Sequence, residues 1–184
     1  QPLDSALFSG IVEELGGLDA LVYVAGYMAG SDSAAFDSGE DRATFEVNTL
    51  GPMRVIKALE QNLGFGGKIA VITSRMGSIE DNTSGSHYGY RISKCGVNMM
   101  VRSLAQDLEP AGIAVGVFHP GYVRTDMTGG QGFISAEEAA DPGELEVEVD
   151  QIQCRALFHE LYPSGDVPEE VRNCSFAQAD YFTD

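Results

Sequence analysis

The chain has 184 residues, which is enough for one domain with its own hydrophobic core. Apolar residues make up 43% and charged residues 21%, as is usual for a globular protein in water. The formal net charge of −17 argues against nucleic acid and anionic membrane surfaces as partners, because both would repel the chain. No apolar run approaches the roughly 18 residues of a membrane span, so we expect a protein of the cytoplasm or of a soluble organelle compartment.

The three cysteines, Cys95, Cys154 and Cys174, are odd in number and lack the spacing of metal ligands. We therefore expect reduced thiols in an intracellular protein, and no metal site. In an oxidising compartment, Cys154 and Cys174 could pair instead.

The first half of the chain predicts a helix, a strand, a loop and a second helix. Apolar residues recur at helical spacing over residues 4–16 and again over about 42–63. Between them, the apolar run at 18–24 predicts a buried strand, and the small, polar and acidic residues 27–41 predict a loop.

Pro52 lies inside the second predicted helix, where a proline costs about 3 kcal/mol. Because proline has no N–H, the carbonyl of Asn48, four residues back, loses its helical partner. Two interpretations are open: a harmless kink, or a kink that frees the Asn48 carbonyl to hold a water molecule.

The second half continues the alternation. It predicts a strand at 68–73, a loop at 74–87, a helix at 88–108 and a strand at 113–118. Strands that alternate with helices indicate an α/β fold with a parallel, Rossmann-like sheet and flanking helices. In such sheets ligands bind beyond the carboxyl ends of the strands.

Tyr90 and Lys94 lie four residues apart on the predicted helix 88–108, so they share one face. An ammonium one turn from a phenol lowers the pKa of the phenol. Ser74 adds a hydroxyl at the end of a predicted strand. Together they could donate a proton and polarise a carbonyl, whereas the simpler interpretation is a tyrosine packed on a lysine stem. Tyr88 is a rival phenol, but it lies six residues from Lys94 on a different helix face.

These residues occur in an order that resembles the short-chain dehydrogenase/reductase family, over about residues 3–128. The ordered set is Ala25-Gly26 after a strand, Asn48 in a helix, Ser74 after a strand, Tyr90 and Lys94, then Pro120-Gly121 and Thr125. The stretches from Ser74 to Ile79, Asp81 to Thr83 and Tyr88 to Arg91 resemble the carbonyl-reductase branch that includes sniffer and bacterial C-factor proteins.

The resemblance implies a catalytic set of Asn48, Ser74, Tyr90 and Lys94. Tyr90 would be the general acid in reduction and the base in oxidation, and Ser74 would donate to the substrate oxygen. Lys94 would also bind the nicotinamide ribose, and Asn48 would complete a proton relay through water. The implied cofactor is NAD or NADP, and the residues implied in binding it are Ala25, Gly26, Asn48, Tyr90, Lys94, Pro120, Gly121, Val123 and Thr125.

Two features depart from the family. Its N-terminal strands, with the glycine-rich turn that binds the pyrophosphate, are missing from the chain that starts at Gln1, and Gly64 to Gly67 precede a strand instead of opening a helix. The Asn-Asn-Ala-Gly motif is altered to Tyr23-Val24-Ala25-Gly26. We therefore expect a fragment of a longer protein, or a sheet completed by another chain, and no productive cofactor binding by the 184 residues alone.

The domain division follows from the same comparison. Residues 1–128 are predicted to form a partial short-chain reductase domain, and residues 129–184 a divergent acidic tail that covers the substrate or binds a partner. Acidic and apolar residues alternate over 144–150, as in a half-exposed strand.

Two functions remain open at this point. The first is an oxidoreductase that transfers a hydride between NAD(P)H and a small carbonyl/alcohol substrate. The second is a non-catalytic, reductase-like structural subunit or scaffold. Either could form a homo-oligomer or join a larger assembly, since relatives pair through the helices that follow Asn48 and Tyr90.

Overall fold

The computed structural model describes residues 17–28 and 39–140, together with the isolated positions Gly10, Glu13 and Glu14. Most of the predicted helix 4–16 lies outside the described residues. So does everything after residue 140, including the predicted strand 144–150 and the cysteines Cys154 and Cys174.

Three parallel strands form the sheet: β1 (Leu18–Tyr23), β2 (Leu63–Ile72) and β3 (Ala114–Phe118). Their order is β1-β2-β3, so β2 is the central strand of the described part. β2 begins five residues before its predicted start, because Leu18 pairs with Leu63 ahead of a shift in register. The predicted parallel sheet with flanking helices is thus confirmed.

Four α-helices flank this sheet in the described part: α1 (Gly39–Phe45), α2 (Gly51–Leu59), α3 (Tyr88–Leu108) and α4 (Ala136–Ala140). The helix predicted at 88–108 is confirmed at both ends. The loop predicted to run to residue 41 is too long, because α1 already begins at Gly39.

The single helix predicted from Arg42 to Leu63 was wrong. α1 passes into a π-helical turn, Glu46–Leu50, in which the N–H of Gly51 donates to the carbonyl of Glu46, five residues back. Pro52 then lies in the first turn of α2, where its missing N–H is tolerated. A change of helix type therefore replaces the predicted kink.

The core lies between the sheet and helices α2 and α3. Fully buried Val71 of the central strand and Val97 of α3 are its centre, and seven further buried residues surround them: Ile56, Leu63, Ile69, Val101, Ile113, Val115 and Val117. Each such side chain contributes about 1.5–3 kcal/mol when it leaves water. β1 was predicted to be buried, but it is an edge strand of the described sheet and Val22 is 53% exposed.

Candidate active site

Ser74 begins the site at the carboxyl end of β2. It adopts an extended conformation and caps a short 3₁₀ turn, Arg75–Gly77, with its Oγ accepting from the N–H of Met76 at 3.2 Å. Gly77 lies directly against α3, since a Cβ placed on it would come within 2.7 Å of the backbone carbonyl carbon of Lys94. The hydroxyl of Ser74 is thereby held beside the face of α3 that carries Tyr90 and Lys94.

Tyr90 and Lys94 are both buried, with 8% and 3% of their surface exposed. The Ser74 side chain lies close enough to the phenol of Tyr90 to act on its pKa. Lys94 Nζ lies 5.7 Å from the centre of the Tyr90 ring and donates to the carbonyl of Ile72 at 2.9 Å. An ammonium has three donors, so the partner described for Lys94 leaves two of them for a ligand.

Burial controls the ionisation of both groups. It raises the pKa of Tyr90 above its usual 10, and the hydrogen bond from Ser74 opposes this only in part. It lowers the pKa of Lys94 from 10.5 to about 8. The expectation that Lys94 lowers the pKa of Tyr90 was therefore wrong for the protein alone, because removal of the phenol from water is the larger effect.

Asn48 is almost fully buried and joins the end of β1 to α3. Its Oδ1 accepts from the N–H of Tyr27, and its Nδ2 donates to the carbonyl of Tyr27, both at 2.8 Å. The same Nδ2 donates to Ser93 Oγ at 2.9 Å, and Ser93 Oγ donates to the carbonyl of Tyr90 at 2.8 Å. The amide of Asn48 thus holds the backbone around Tyr90 through Ser93.

Gly26 lies against this cluster. A Cβ built on it would be 3.8 Å from Lys94 Nζ and 3.9 Å from Asn48 Oδ1. Ala25 precedes it in the segment without regular secondary structure that follows β1. The absence of a side chain at Gly26 keeps the space beside the ammonium open to a ligand.

The loop after β3 approaches the same place. Gly121, which follows Pro120, has a φ of +87°, and a Cβ on it would come within 2.9 Å of the Ile134 side chain. Val123 forms a β-bridge with Ile134, and the N–H of Thr125 donates to Thr128 Oγ1 at 3.0 Å. Two residues beyond Thr125, the methyl group of Met127 lies 3.6 Å from the position of a Gly26 Cβ.

His119 is the residue just before Pro120. Its Nδ1 is buried and has no hydrogen-bond partner in the described structure. Burial lowers the pKa of His119 from 6.5 to about 4, with smaller contributions in the same direction from the charges of Arg75 and Lys94 and an opposing one from Asp81. The imidazole is therefore neutral at physiological pH.

The described residues thus join two buried hydroxyls, a buried ammonium and two glycines at the carboxyl edge of a parallel sheet. The family model for short chain dehydrogenases matches residues 4–132. The chain belongs to the short-chain dehydrogenase family.

Two curated relatives of this family are similar over the same region. The chain is 43% identical over 127 residues to the 1-hydroxy-2-glutathionyl-2-methyl-3-butene dehydrogenase of Rhodococcus sp. strain AD45, covering 67% of this chain and 56% of that protein. It is 43% identical over 105 residues to C-signal of Myxococcus xanthus, covering 56% and 63%. The chain thus spans little more than half the length of these two short-chain dehydrogenase relatives.

Solved structures of the same fold include the carbonyl reductase Sniffer of D. melanogaster. It is 29% identical, with a TM-score of 0.68, covering 74% of this chain and 63% of that one. The NADPH-bound carbonyl reductase from chicken fatty liver is 26% identical, with a TM-score of 0.65, covering 73% and 60%. The resemblance to short-chain reductases that include sniffer and C-factor proteins is confirmed.

Three neighbours of the catalytic set were missed in the sequence. Ser93 lies between Tyr90 and Lys94, so its position in this segment could have indicated that it belongs to the site. Tyr27 acts through its backbone, and Met127 comes close only through the fold, so no residue pattern pointed to either. Gly64 to Gly67 lie within β2, in agreement with the prediction that they do not form a phosphate-binding turn.

None of the helices in the described part is long and apolar enough to cross a membrane. In the same part, no cluster of three or more His, Cys, Asp or Glu residues is arranged to bind a metal ion.

Proposed function

We propose that the protein transfers a hydride between NAD(P)H and a small carbonyl/alcohol substrate, with Tyr90 as the general acid and base. The observation that supports this most directly is the joint burial of Ser74, Tyr90 and Lys94, with the Ser74 side chain acting to lower the pKa of the Tyr90 phenol. Two acidic hydrogens that converge on one point are what a carbonyl oxygen needs as it gains negative charge.

The raised pKa of Tyr90 suits the reductive direction. The phenol stays protonated at neutral pH and has a proton to give to the carbonyl oxygen. Ser74 donates to the same oxygen and stabilises the charge that develops there. The nicotinamide, when bound, supplies the hydride and, in its oxidised form, a positive charge that favours the phenolate needed for oxidation.

The residues around this set fit the nicotinamide end of the cofactor. Lys94 has donors for the ribose hydroxyls, and Gly26 leaves the space beside them open. We assign Ala25, Pro120, Gly121, Val123 and Thr125 to the same binding surface, because the loop after β3 returns to Gly26 through Met127. The choice between NAD and NADP is left open.

The remaining assignments are proposals of the same kind. Residues 1–128 form the reductase domain, and residues 129–184 cover the substrate or bind a partner. We place the protein in the cytoplasm or in a soluble organelle compartment. A non-catalytic structural subunit is the second candidate.

Isothermal calorimetry with NADH and NADPH separates the two candidates. The enzyme binds one of them in the native protein, whereas the structural subunit binds neither. The measurement is made on the native protein.

A further inference from the structure

The turn that leads into α3 has an unusual backbone. Gly85, Ser86 and His87 follow one another with φ values of 65°, 56° and 52°, in the left-handed region. Ser86 and His87 are the non-glycine residues with positive φ in the described structure. A side chain makes this conformation costly, so the surrounding contacts must hold it in place.

Arg91 provides those contacts. Its Nε donates to the carbonyls of Gly85 and Ser86, at 3.1 and 3.0 Å, and its Nη2 donates to Ser84 Oγ at 2.9 Å. One guanidinium thus binds three consecutive residues, which its rigid, planar set of donors allows. The bond to Gly85 is partly buried, whereas those to Ser84 and Ser86 are exposed.

The turn ends three residues before Tyr90. Arg91 is the next residue after Tyr90, and its own N–H donates to the carbonyl of His87 at 2.9 Å, which closes the first turn of α3. The same residue therefore holds the segment before the helix and the first turn that carries the phenol. A turn that relaxed would change how α3 begins, and with it the direction of the Tyr90 side chain.

The action of Arg91 is geometric. The pKa of Tyr90 responds to burial and to Ser74, and the guanidinium is not among its causes. The described bonds of its guanidinium run to backbone carbonyls from Nε and to the Ser84 hydroxyl from Nη2.

We propose that Arg91 is a positioning residue that holds the left-handed turn Gly85–His87 and thereby fixes the Tyr90 phenol against Ser74. The proposal rests on the proposed function of Tyr90. It adds a residue of the Tyr90–Lys94 segment whose described side-chain partners all lie in the turn before α3.

The kinetic test uses Arg91→Met and Arg91→Lys in the native protein. A misplaced phenol lowers kcat by about tenfold or more, while the KM for the cofactor stays within about twofold. The pH dependence of kcat is unaltered, because Arg91 is not among the causes that shift the pKa of Tyr90. Lysine does not restore kcat, since its compact ammonium lacks the planar, rigid set of donors that reaches these three acceptors at once. Arg54→Met is the matched control, because Arg54 is an exposed arginine whose described partner is the Glu46 carboxylate.

A rescue experiment separates positioning from other effects. Glycine adopts a positive φ without a steric cost. With Ser86→Gly and His87→Gly together, the left-handed turn therefore no longer depends on the hydrogen bonds of Arg91. Added to Arg91→Met, they are expected to recover at least about threefold of the lost kcat. A kcat that stays normal in Arg91→Met, or a loss that the glycines leave unchanged, would overturn the proposal.

Hydrogen exchange tests the same proposal without any activity. Amide exchange at residues 85–88 becomes at least about tenfold faster in Arg91→Met but not in Arg54→Met, and the NMR signal of the Tyr90 ring, assigned with Tyr90→Phe, shifts. Unchanged exchange and an unshifted ring would refute the role of Arg91 even in an active enzyme. A native protein with no activity, but with faster exchange and a shifted ring, would instead refute the proposed function and uphold the positioning role.

Discussion

Lys94 is kept in a place that disfavours its charge. Burial lowers its pKa from 10.5 to about 8, so at pH 7 the folded protein bears a desolvation cost of about 3 kcal/mol. The hydrogen bond to Ile72 offsets about 1–2 kcal/mol of it. A buried cation that costs stability is expected where the cation is needed for binding or chemistry.

Lys94→Met is therefore expected to stabilise the fold at pH 7 by about 1 kcal/mol while it abolishes activity. The sign follows from the direction of the pKa shift: between pH 8 and 10.5 the unfolded chain binds the proton that the folded chain has lost, so wild-type stability rises with pH there. The variant lacks this rise. Urea unfolding of both proteins at pH 7 and 9.5 measures the difference, and a variant less stable than wild type at pH 7 would contradict the account.

The lowered pKa of His119 also makes stability rise with pH, but in a lower pH range than that of Lys94. Its pKa in the folded protein is about 4. Between pH 6.5 and 4 the imidazole is therefore protonated in the unfolded chain and neutral in the folded one. Stability falls as the pH drops through this window, by at most about 3 kcal/mol. In His119→Gln the drop is smaller, and urea unfolding at pH 7.5 and 4.5 measures it. His87→Gln is the matched control, and a drop as large in His119→Gln as in wild type would exclude the effect.

The spacing of residues was enough to predict which chemical groups form the site. It did not predict their pKa values or their hydrogen-bond partners. Tyr90 and Lys94 had to share a helix face because four residues separate them. The pKa of Tyr90 was predicted in the wrong direction, since burial depends on packing that no local pattern contains. The hydrogen bonds between Asn48 and Tyr27 could not be predicted either, because they join a side chain to the backbone of a segment distant in sequence.

At the scale of elements, the 3₁₀ turn after Ser74 depends on a glycine. A Cβ on Gly77 would come within 2.7 Å of the Lys94 backbone carbon and 2.9 Å of its carbonyl oxygen, and neither atom can move without shifting α3. Gly77→Ala is therefore expected to destabilise the fold by about 1–3 kcal/mol and to lower kcat, because the turn carries Ser74 away from Tyr90. Thermal unfolding and kinetics test this. Gly64→Ala, where a Cβ meets no atom within 4 Å, is the control; equal stability of the two variants would refute the close contact.

Helix periodicity predicted where helices run but not their type. Apolar residues recur at helical spacing over residues 42–63, and this spacing alone did not reveal the π-helical turn at Glu46–Leu50. Pro52 was the visible signal that the helix is irregular. The start of β2 was missed for a related reason, since Gly64, Gly66 and Gly67 weaken a strand pattern that pairing with Leu18 completes.

At the scale of the whole molecule, an open apolar groove of about 550 Å³ lies between α2 and α3. Met53 and Met99 on its walls are 47% and 68% exposed. The resemblance to the family implies pairing through these helices, and we propose that two copies of the protein associate here. Met99→Glu introduces a charge into the groove and is expected to shift the protein to monomers in sedimentation equilibrium. Gln106→Glu adds the same charge to α3 outside the groove and serves as the control; a dimer that survives Met99→Glu would place the interface elsewhere.

The central claim concerns one transfer of hydrogen, so the most direct measurement follows that hydrogen. The native protein is incubated with a panel of carbonyl substrates and with NADH or NADPH in which both C4 hydrogens are deuterium, and the products are analysed by mass spectrometry. We expect one deuterium in the alcohol product and a rate at least about 100-fold lower in Tyr90→Phe, whereas Tyr88→Phe stays close to wild type. A product without deuterium, or full activity in Tyr90→Phe, would contradict the account.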